Sequence, residues 1–196
     1  MFKRITVALT AMLFLVSNAF ANPTELVKST VSEVVRIVAD PNLKKDTQKR
    51  RQMLKKTIGI IFDYPEMAKR SLGKHWNVRT VAEKKAFANL FATLLENSYA
   101  SKIESYNNEK IVYVKEILDN DYAEIKSKVV TAARDEFTLD YKLMNSNGKW
   151  MVYDVVIEGV SLVSNYRSQF NKIITANGYE KLVKKLESKN EELKAP

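Results

Sequence analysis

Residues 150–157, WMVYDVVI, carry apolar side chains at both odd and even positions. A strand written this way is covered on both faces, whereas a half-exposed strand alternates apolar with polar. Gly159 then allows a sharp turn, and Ser161 is placed to cap a following helix by accepting from its first free amides. In that helix Leu162, Val163, Tyr166, Phe170, Ile173 and Ile174 recur along one apolar stripe. A doubly buried strand running straight into an amphipathic helix needs a cover for each face. The rest of the chain has to supply them.

Upstream the pattern is helical. Leu26, Val27, Val31, Val34, Val35 and Val38 make a stripe over Thr24–Val38, which Pro41 breaks. Lys44–Phe62 reads as a second helix, basic at first, with Leu43, Met53, Leu54, Ile58 and Ile61 available for packing. Asp63, with Pro65 just inside, opens a short third helix that ends near Gly73. Thr80 and Glu83 have the spacing of a capping box for a long fourth helix. Its stripe is broad: Phe87, Leu90, Phe91, Leu94, Leu95, Tyr99, Ile103 and Tyr106.

Four strand-like segments follow at Lys110–Ile117, Tyr122–Ala132, Glu136–Met144 and Lys149–Glu158. Asn120-Asp121 and Asn147-Gly148 lie where tight turns belong, so consecutive strands pair antiparallel. A two-residue turn at Asn147-Gly148 would put Phe137, Leu139, Tyr141 and Leu143 on one face with Trp150, Val152 and Val156. A loop of odd length would select Met151, Tyr153, Val155 and Ile157 instead. The chain ends in a charged helix, Tyr179–Leu193, with Leu182, Val183 and Leu186 as a small packing face. Helices, then a meander of about four strands, then closing helices describe a single α+β domain over residues 22–196.

The first 21 residues read differently. Lys3 and Arg4 form a basic start, Ile5–Val16 is mostly apolar but short for a membrane span, and Ala19-Phe20-Ala21 fits a cleavage site. We expect a signal peptide over residues 1–21, cleaved after Ala21, and a periplasmic location. The chain has no cysteine, which excludes lipid attachment through a modified Cys, thiol catalysis, thiolate metal sites and disulfides. The net charge of +9 falls by two without Lys3 and Arg4 and stays basic. In an exported chain that points to anionic membranes, headgroups or acidic protein patches, and away from nucleic acid. The basic run Lys44, Lys45, Lys49, Arg50, Arg51, Lys55 and Lys56 is either a solvated helix face or a docking surface for such partners.

Little in the chain suggests catalysis, and we read it as a non-enzyme. His75 is the one histidine, so a His-based metal cluster is excluded, and no G-x-S-x-G elbow occurs. Asp140, Asp154 and Glu158 are the carboxylates that could act as a base in an apolar cavity. Asp154, which interrupts the buried strand, is the best of them, though a structural hydrogen bond is its plainer role.

The segment YDVVIEGVSLVSNYRSQF at Tyr153–Phe170 resembles the signature of the MlaC family, the toluene-tolerance periplasmic proteins. FDYPEMAKRSLGKHW at Phe62–Trp76 is similar to that family's D-x-x-x-M-x-x-x-x-L-G-x-x-W element, and FANLFATLLENSYASKIESY at Phe87–Tyr106 to its helix of paired aromatics and leucines. The resemblance implies a cone-like, NTF2-like fold with an apolar cavity between helices and a twisted sheet, where periodicity alone would favour a filled core. It implies a soluble carrier of diacyl phospholipid, without a cofactor or metal. Its implied partners are an outer-membrane lipoprotein/porin complex and an inner-membrane ABC transporter with a substrate-binding ring protein. On that reading the tail-contacting residues are Phe91, Leu94, Leu139, Tyr141, Trp150, Val152, Tyr166 and Phe170, with plain core packing the competing role for each. Lys49, Arg50, Arg51, Lys55 and Arg167 are the residues for partner or headgroup docking, Arg167 having a structural pairing with Asp154 as its other option. A monomer is the default state. The competing readings are an enzyme acting on a small apolar ligand with Asp154 as base, and a scaffold with a filled core that binds a protein partner.

Overall fold

A computed structural model describes residues 22–194; the signal peptide read over residues 1–21, with its cleavage site, lies outside the described residues. The described residues open with α1 (Pro23–Ala39), whose first amides donate to the Asn22 side chain. Pro41 does more than break this helix. It starts a short α2 (Pro41–Lys45), pre-set for the first helical position, with Asp40 as the cap. The single helix expected over Lys44–Phe62 is likewise interrupted. Asp46 leaves helical geometry at φ −117°, and its carboxylate caps α3 (Thr47–Gly59) by accepting from Lys49 N at 2.9 Å.

The next caps fall where the sequence puts them. Asp63 accepts from Glu66 N at 2.9 Å to start α4 (Tyr64–Leu72), which ends at Gly73 with φ +53°. A side chain at Gly73 would also press within 3.3 Å of the Arg167 stem. A 3-10 turn, Gly73–His75, leads on to α5 (Val81–Glu104). There Thr80 Oγ1 accepts from Glu83 N at 3.2 Å and Glu83 accepts from Thr80 N at 2.7 Å, both halves of a capping box.

The sheet is an antiparallel meander of β1 (Lys110–Asp119), β2 (Tyr122–Val130), β3 (Glu136–Ser146), β4 (Lys149–Ile157) and a two-residue β5 (Val160–Ser161), in that spatial order. Asn147 and Gly148 both have positive φ, at 54° and 81°, the two-residue turn that matches strand twist. Leu143 accordingly faces Val152, and Asn145 faces Trp150. One step further the register slips: Lys142 pairs with Asp154, leaving Tyr153 as a bulge. Beyond it Tyr141 faces Val155 and Leu139 faces Ile157, while Val156 pairs with Asp140 on the opposite side. The two-residue turn therefore holds for Trp150 and Val152 but not for Val156. The bulge carries Val155 and Ile157, the odd-loop alternatives, onto the inner face.

A second departure follows β4. Glu158 and Gly159, with φ of 50° and 75°, make another tight turn, and β5 folds back on Val156 and Ile157 before α6 (Leu162–Asn177) begins. The other end of the β4 edge is held by the loop after α3, where Val152 N donates to Ile61 O at 2.6 Å and Asp63 N donates to Val152 O at 2.8 Å. The last described element is α7 (Tyr179–Lys194).

Two large apolar clusters result. One is helical, joining α4, α5, α6 and α7 through Met67, Leu72, Phe87, Phe91, Leu94, Val163, Phe170, Leu182 and Leu186. The other lies on the inner face of the sheet and includes Val27, Ile125, Tyr141, Leu143, Trp150, Val152 and Val155. Ile37, Val38, Leu43 and Leu54 form a smaller third cluster that ties α1 to α2 and α3. The α+β architecture read from the sequence is the one observed.

Candidate functional site

A cavity of about 490 Å³ lies between the helices and the sheet. Its walls are Val31, Val34 and Val35 of α1, Leu54 and Ile58 of α3, and Leu95, Tyr99 and Ile103 of α5. Its floor is Val129, Phe137, Leu139, Tyr141, Val155 and Ile157 of the sheet. The volume falls within the range of about 300–1,000 Å³ common for pockets that take whole small ligands. Local sequence explains each wall. The α1 valines repeat at helical spacing, and the bulge at Tyr153 turns Val155 and Ile157 inward.

The interior is held neutral. Burial pushes the Tyr141 hydroxyl far above its ordinary pKa. Burial does the same for Tyr64, helped by the nearby Glu96 carboxylate. Charge gathers where the walls meet solvent, at Arg51, Lys55, Glu96, Lys102 and Glu109. There α3 is tied to α5 by ion pairs: Arg51 Nε to Glu104 at 3.1 Å, Arg50 to Glu104 at 3.6 Å, and Lys55 Nζ to Glu96 at 3.2 Å. An apolar chamber with a charged rim can hold hydrocarbon and leave a polar group at its edge.

The residues read from the sequence as tail contacts fall in several places. Leu139 and Tyr141 line the cavity. Phe91 and Phe170 belong to the helical cluster, their rings 5.6 Å apart and steeply inclined, and Tyr166 stands edge-on to Phe91 at 5.1 Å. Leu94, with Tyr166 and Phe170, borders a different cleft between α5, α6 and α7. Trp150 and Val152 pack at the turn end of the sheet, beside the loop after α3. The structure thus places six of the eight off the cavity wall: four because the α5 stripe has two seams and the one carrying Phe91 packs on α6, and Trp150 and Val152 because they lie at the turn end of β4. Val34, Val35, Ile58, Tyr99, Ile103, Val129, Val155 and Ile157 line the cavity without having been singled out. The available signal was the width of the α5 stripe, too broad for one contact seam.

Among the basic residues, Arg51 and Lys55 lie on the cavity rim, Arg50 joins them through Glu104, and Lys49 is exposed on the first turn of α3. Arg167 does not pair with Asp154. Its guanidinium donates to Ser164 Oγ at 3.4 Å, while Asp154 accepts from Ser161 Oγ at 2.5 Å and Val163 N at 3.1 Å, bracing the start of α6. Asp154 is therefore a buried acceptor at the start of α6, and it is not among the residues that line the cavity. Asp140 accepts from Ser127 N and Lys126 Nζ, and Glu158 bonds Thr138, both also off the cavity lining. Among the described residues no group of three or more His, Cys, Asp or Glu could hold a metal ion, and no helix is long and apolar enough to cross a membrane.

Comparison with known proteins bears on the same elements. Over 121 residues the chain is 27% identical to the intermembrane phospholipid transport system binding protein MlaC of Haemophilus influenzae; the match covers 59% of this chain and 56% of that protein, little over half its length. It is 24% identical over 183 residues to the toluene tolerance protein ttg2D of Pseudomonas putida, covering 90% of this chain and 84% of that one. The solved structure of a phospholipid-binding protein from Ralstonia solanacearum, in complex with a phospholipid, matches with a TM-score of 0.80 at 26% identity, over 88% of this chain and 99% of that one. The family model described as MlaC protein matches residues 28–188, from within α1 to within α7. With the family model spanning the helices, the sheet and the cavity between them, the chain belongs to the MlaC family.

Proposed function

We propose that this protein is a periplasmic carrier that encloses the acyl tails of a diacyl phospholipid and moves the lipid between the outer- and inner-membrane complexes. The observation that carries the reading is the apolar cavity between α1, α3, α5 and the sheet, in a fold whose Ralstonia relative was solved with a phospholipid. A diacyl lipid exposes on the order of thirty methylenes in water at roughly 0.8 kcal/mol each, a gross penalty above about 20 kcal/mol. An open groove cannot offset that, so the tails have to be enclosed. Moving them from bilayer hydrocarbon into protein hydrocarbon is nearly neutral by comparison. The carrier supplies no direction of its own; that comes from its partners.

On this reading Leu139 and Tyr141 touch the tails together with Val34, Ile58, Tyr99, Ile103, Val155 and Ile157, and the headgroup stays near Arg51, Lys55 and Lys102. The basic face of α3, with Lys49 and Arg50, faces anionic headgroups or an acidic partner surface. Residues 1–21 act as the export signal, and the released chain works as a monomer without catalytic chemistry, in keeping with maintenance of outer-membrane lipid asymmetry.

The test is native mass spectrometry of protein purified from the periplasm without detergent, then denaturation and lipid identification. One phospholipid mass per chain is expected. A bare protein mass, unchanged after incubation with phospholipid vesicles, would overturn the reading.

A further inference from the structure

A second concave surface lies on the far side of α5. There α5, α6 and α7 border a cleft of about 860 Å³. Its apolar lining is Tyr166 and Ile173, half-buried, over the buried Leu94, Phe170 and Leu186, with Ser98, Asn165, Gln169 and Glu192 also on its border. Along its α7 wall stand Lys181, Lys184, Lys185 and Lys189, spaced so that a single helix face presents them all. All four are exposed. Lys189 pairs with Glu192 at 2.9 Å, and among the described residues the other three make no ion pair. Neither the helical packing nor the cavity uses this row of charge.

We infer that this cleft docks an acidic amphipathic helix of a protein partner. Charge complementarity and shape together select that occupant. The lysine row calls for carboxylates, and the apolar floor calls for a hydrophobic stripe alongside them. A bilayer surface meets the first need but cannot follow a concave cleft down to Tyr166 and Ile173, whereas a helix about 10 Å across can lie in the groove between α6 and α7. The site is separate from the cavity rim, so a partner held here leaves the rim free. It is also coupled to it. Leu94 and Ser98 of α5 border the cleft, while Leu95, Tyr99 and Ile103 of the same helix border the cavity. A helix pressed into the cleft bears on the wall of the lipid chamber. The inference does not depend on what fills the cavity.

The probe is a fluorescent synthetic helix of about four turns, leucine along one face and glutamate on both flanks. A scrambled peptide of the same composition is the control. Fluorescence anisotropy with the purified protein is expected to show saturable, salt-sensitive binding of the segregated peptide. The double variant Lys181→Glu/Lys185→Glu is expected to weaken it at least about tenfold, or about 1.4 kcal/mol. Lys115→Glu/Lys149→Glu on the sheet, away from the cleft and from the α3 face, is expected to leave it unchanged. Both pairs are exposed, and thermal melts confirm that the variants fold. Amide shift mapping is expected to place the peptide against residues 94–98, 165–173 and 181–189. Absence of binding up to about 1 mM, equal binding of the scrambled peptide, or indifference to the α7 reversal would each overturn the proposal. Should the α7 reversal abolish binding to phosphatidylglycerol vesicles and spare the peptide, the cleft is a membrane-facing surface and the proposal fails.

Discussion

Along α5, Phe87 and Phe91 face α6 and α7, where rings pack directly on one another short of the cleft that begins at Leu94. Phe170 meets Phe87 edge-on at 5.8 Å and 88°, and Tyr179 completes the group. Around the same helix, Leu95, Tyr99 and Ile103 face α1, α3 and the sheet, and there the side chains stop short of one another and leave the cavity. The two seams are equally apolar, so hydrophobicity does not distinguish them. Partner size and distance do. The filled seam meets rings at close quarters, with inclined geometries that fill volume efficiently. The hollow seam meets valine, isoleucine and leucine side chains and the rings of Phe137 and Tyr141, set on a sheet that bulges at Tyr153 in β4 and again between Tyr113 and Lys115 in β1. Bulges bend strands and increase their twist, which keeps the floor away from the helices.

The comparison breaks first under truncation. Phe91→Ala is expected to cost about 3–5 kcal/mol in chemical denaturation, since a fully enclosed ring leaves a void that its packed neighbours cannot close. Leu139→Ala, on a wall that already borders empty space, is expected to cost roughly 1 kcal/mol of the same measure, below the usual range for an enclosed leucine. Equal costs would mean that the two seams are packed alike. A second difference appears on loading. Phospholipid at a hundredfold excess over its Kd is expected to stabilise the protein by about 2.7 kcal/mol. Added amide protection is expected in α1, α3 and the sheet floor, with the α4–α6–α7 cluster little changed. Uniform protection would place the lipid's influence elsewhere. A third test fills the hollow. Val155→Phe, which points into the cavity, is expected to reduce co-purified lipid at least about tenfold, about 1.4 kcal/mol, with the melting temperature held or raised. Retained lipid with a lowered melting temperature would show that the site is already packed.

How much of this was legible depended on how local the cause was. The caps at Asp63, Thr80 and Ser161 were readable because one side chain and the next few amides decide them. The break at Asp46 was equally local, but it was masked by the lysines and arginines around it. The cavity was not legible from periodicity, which says which face of α5 is apolar and not whether the opposing surface reaches it. The floor was misassigned for a sharper reason. A single bulge at Tyr153 exchanges the faces of every later residue in β4, so Val155 and Ile157 replace Val156. No residue type in YDVVI announces that bulge. Phe91 and Phe170 looked like ligand contacts because large aromatics suit both roles. Only their mutual distances assign them to packing.

The smallest effect concerns where the dry interior ends. Tyr113 lies on β1, packed against the sheet cluster, with Lys28 of α1 over its ring at 5.6 Å. Burial, with Glu25 nearby, raises its pKa to about 12, and its hydroxyl is enclosed without a partner among the described residues. Unfolded tyrosine ionises near pH 10. Below that pH the group is neutral in both states. Between about 10 and 12 only the unfolded chain loses the proton, so stability falls as pH rises and levels off above the folded pKa. Tyr64 and Tyr141 act in the same direction, so the alkaline decline is shared. Tyr113→Phe removes one contribution and an unpaired polar atom. It is expected to leave stability at pH 7 unchanged or raise it by about 1 kcal/mol, and to make the decline from pH 10 to 12 shallower. Tyr106 supplies the contrast within the cavity lining itself. Its hydroxyl donates to Glu109 O at 2.6 Å, so Tyr106→Phe is expected to destabilise by about 1 kcal/mol at neutral pH. Urea titrations of the three proteins at pH 7 and pH 11 distinguish the cases. Loss of stability at pH 7 in Tyr113→Phe, with an unaltered alkaline slope, would mean that this hydroxyl is bonded or wet and that the dry interior stops short of β1.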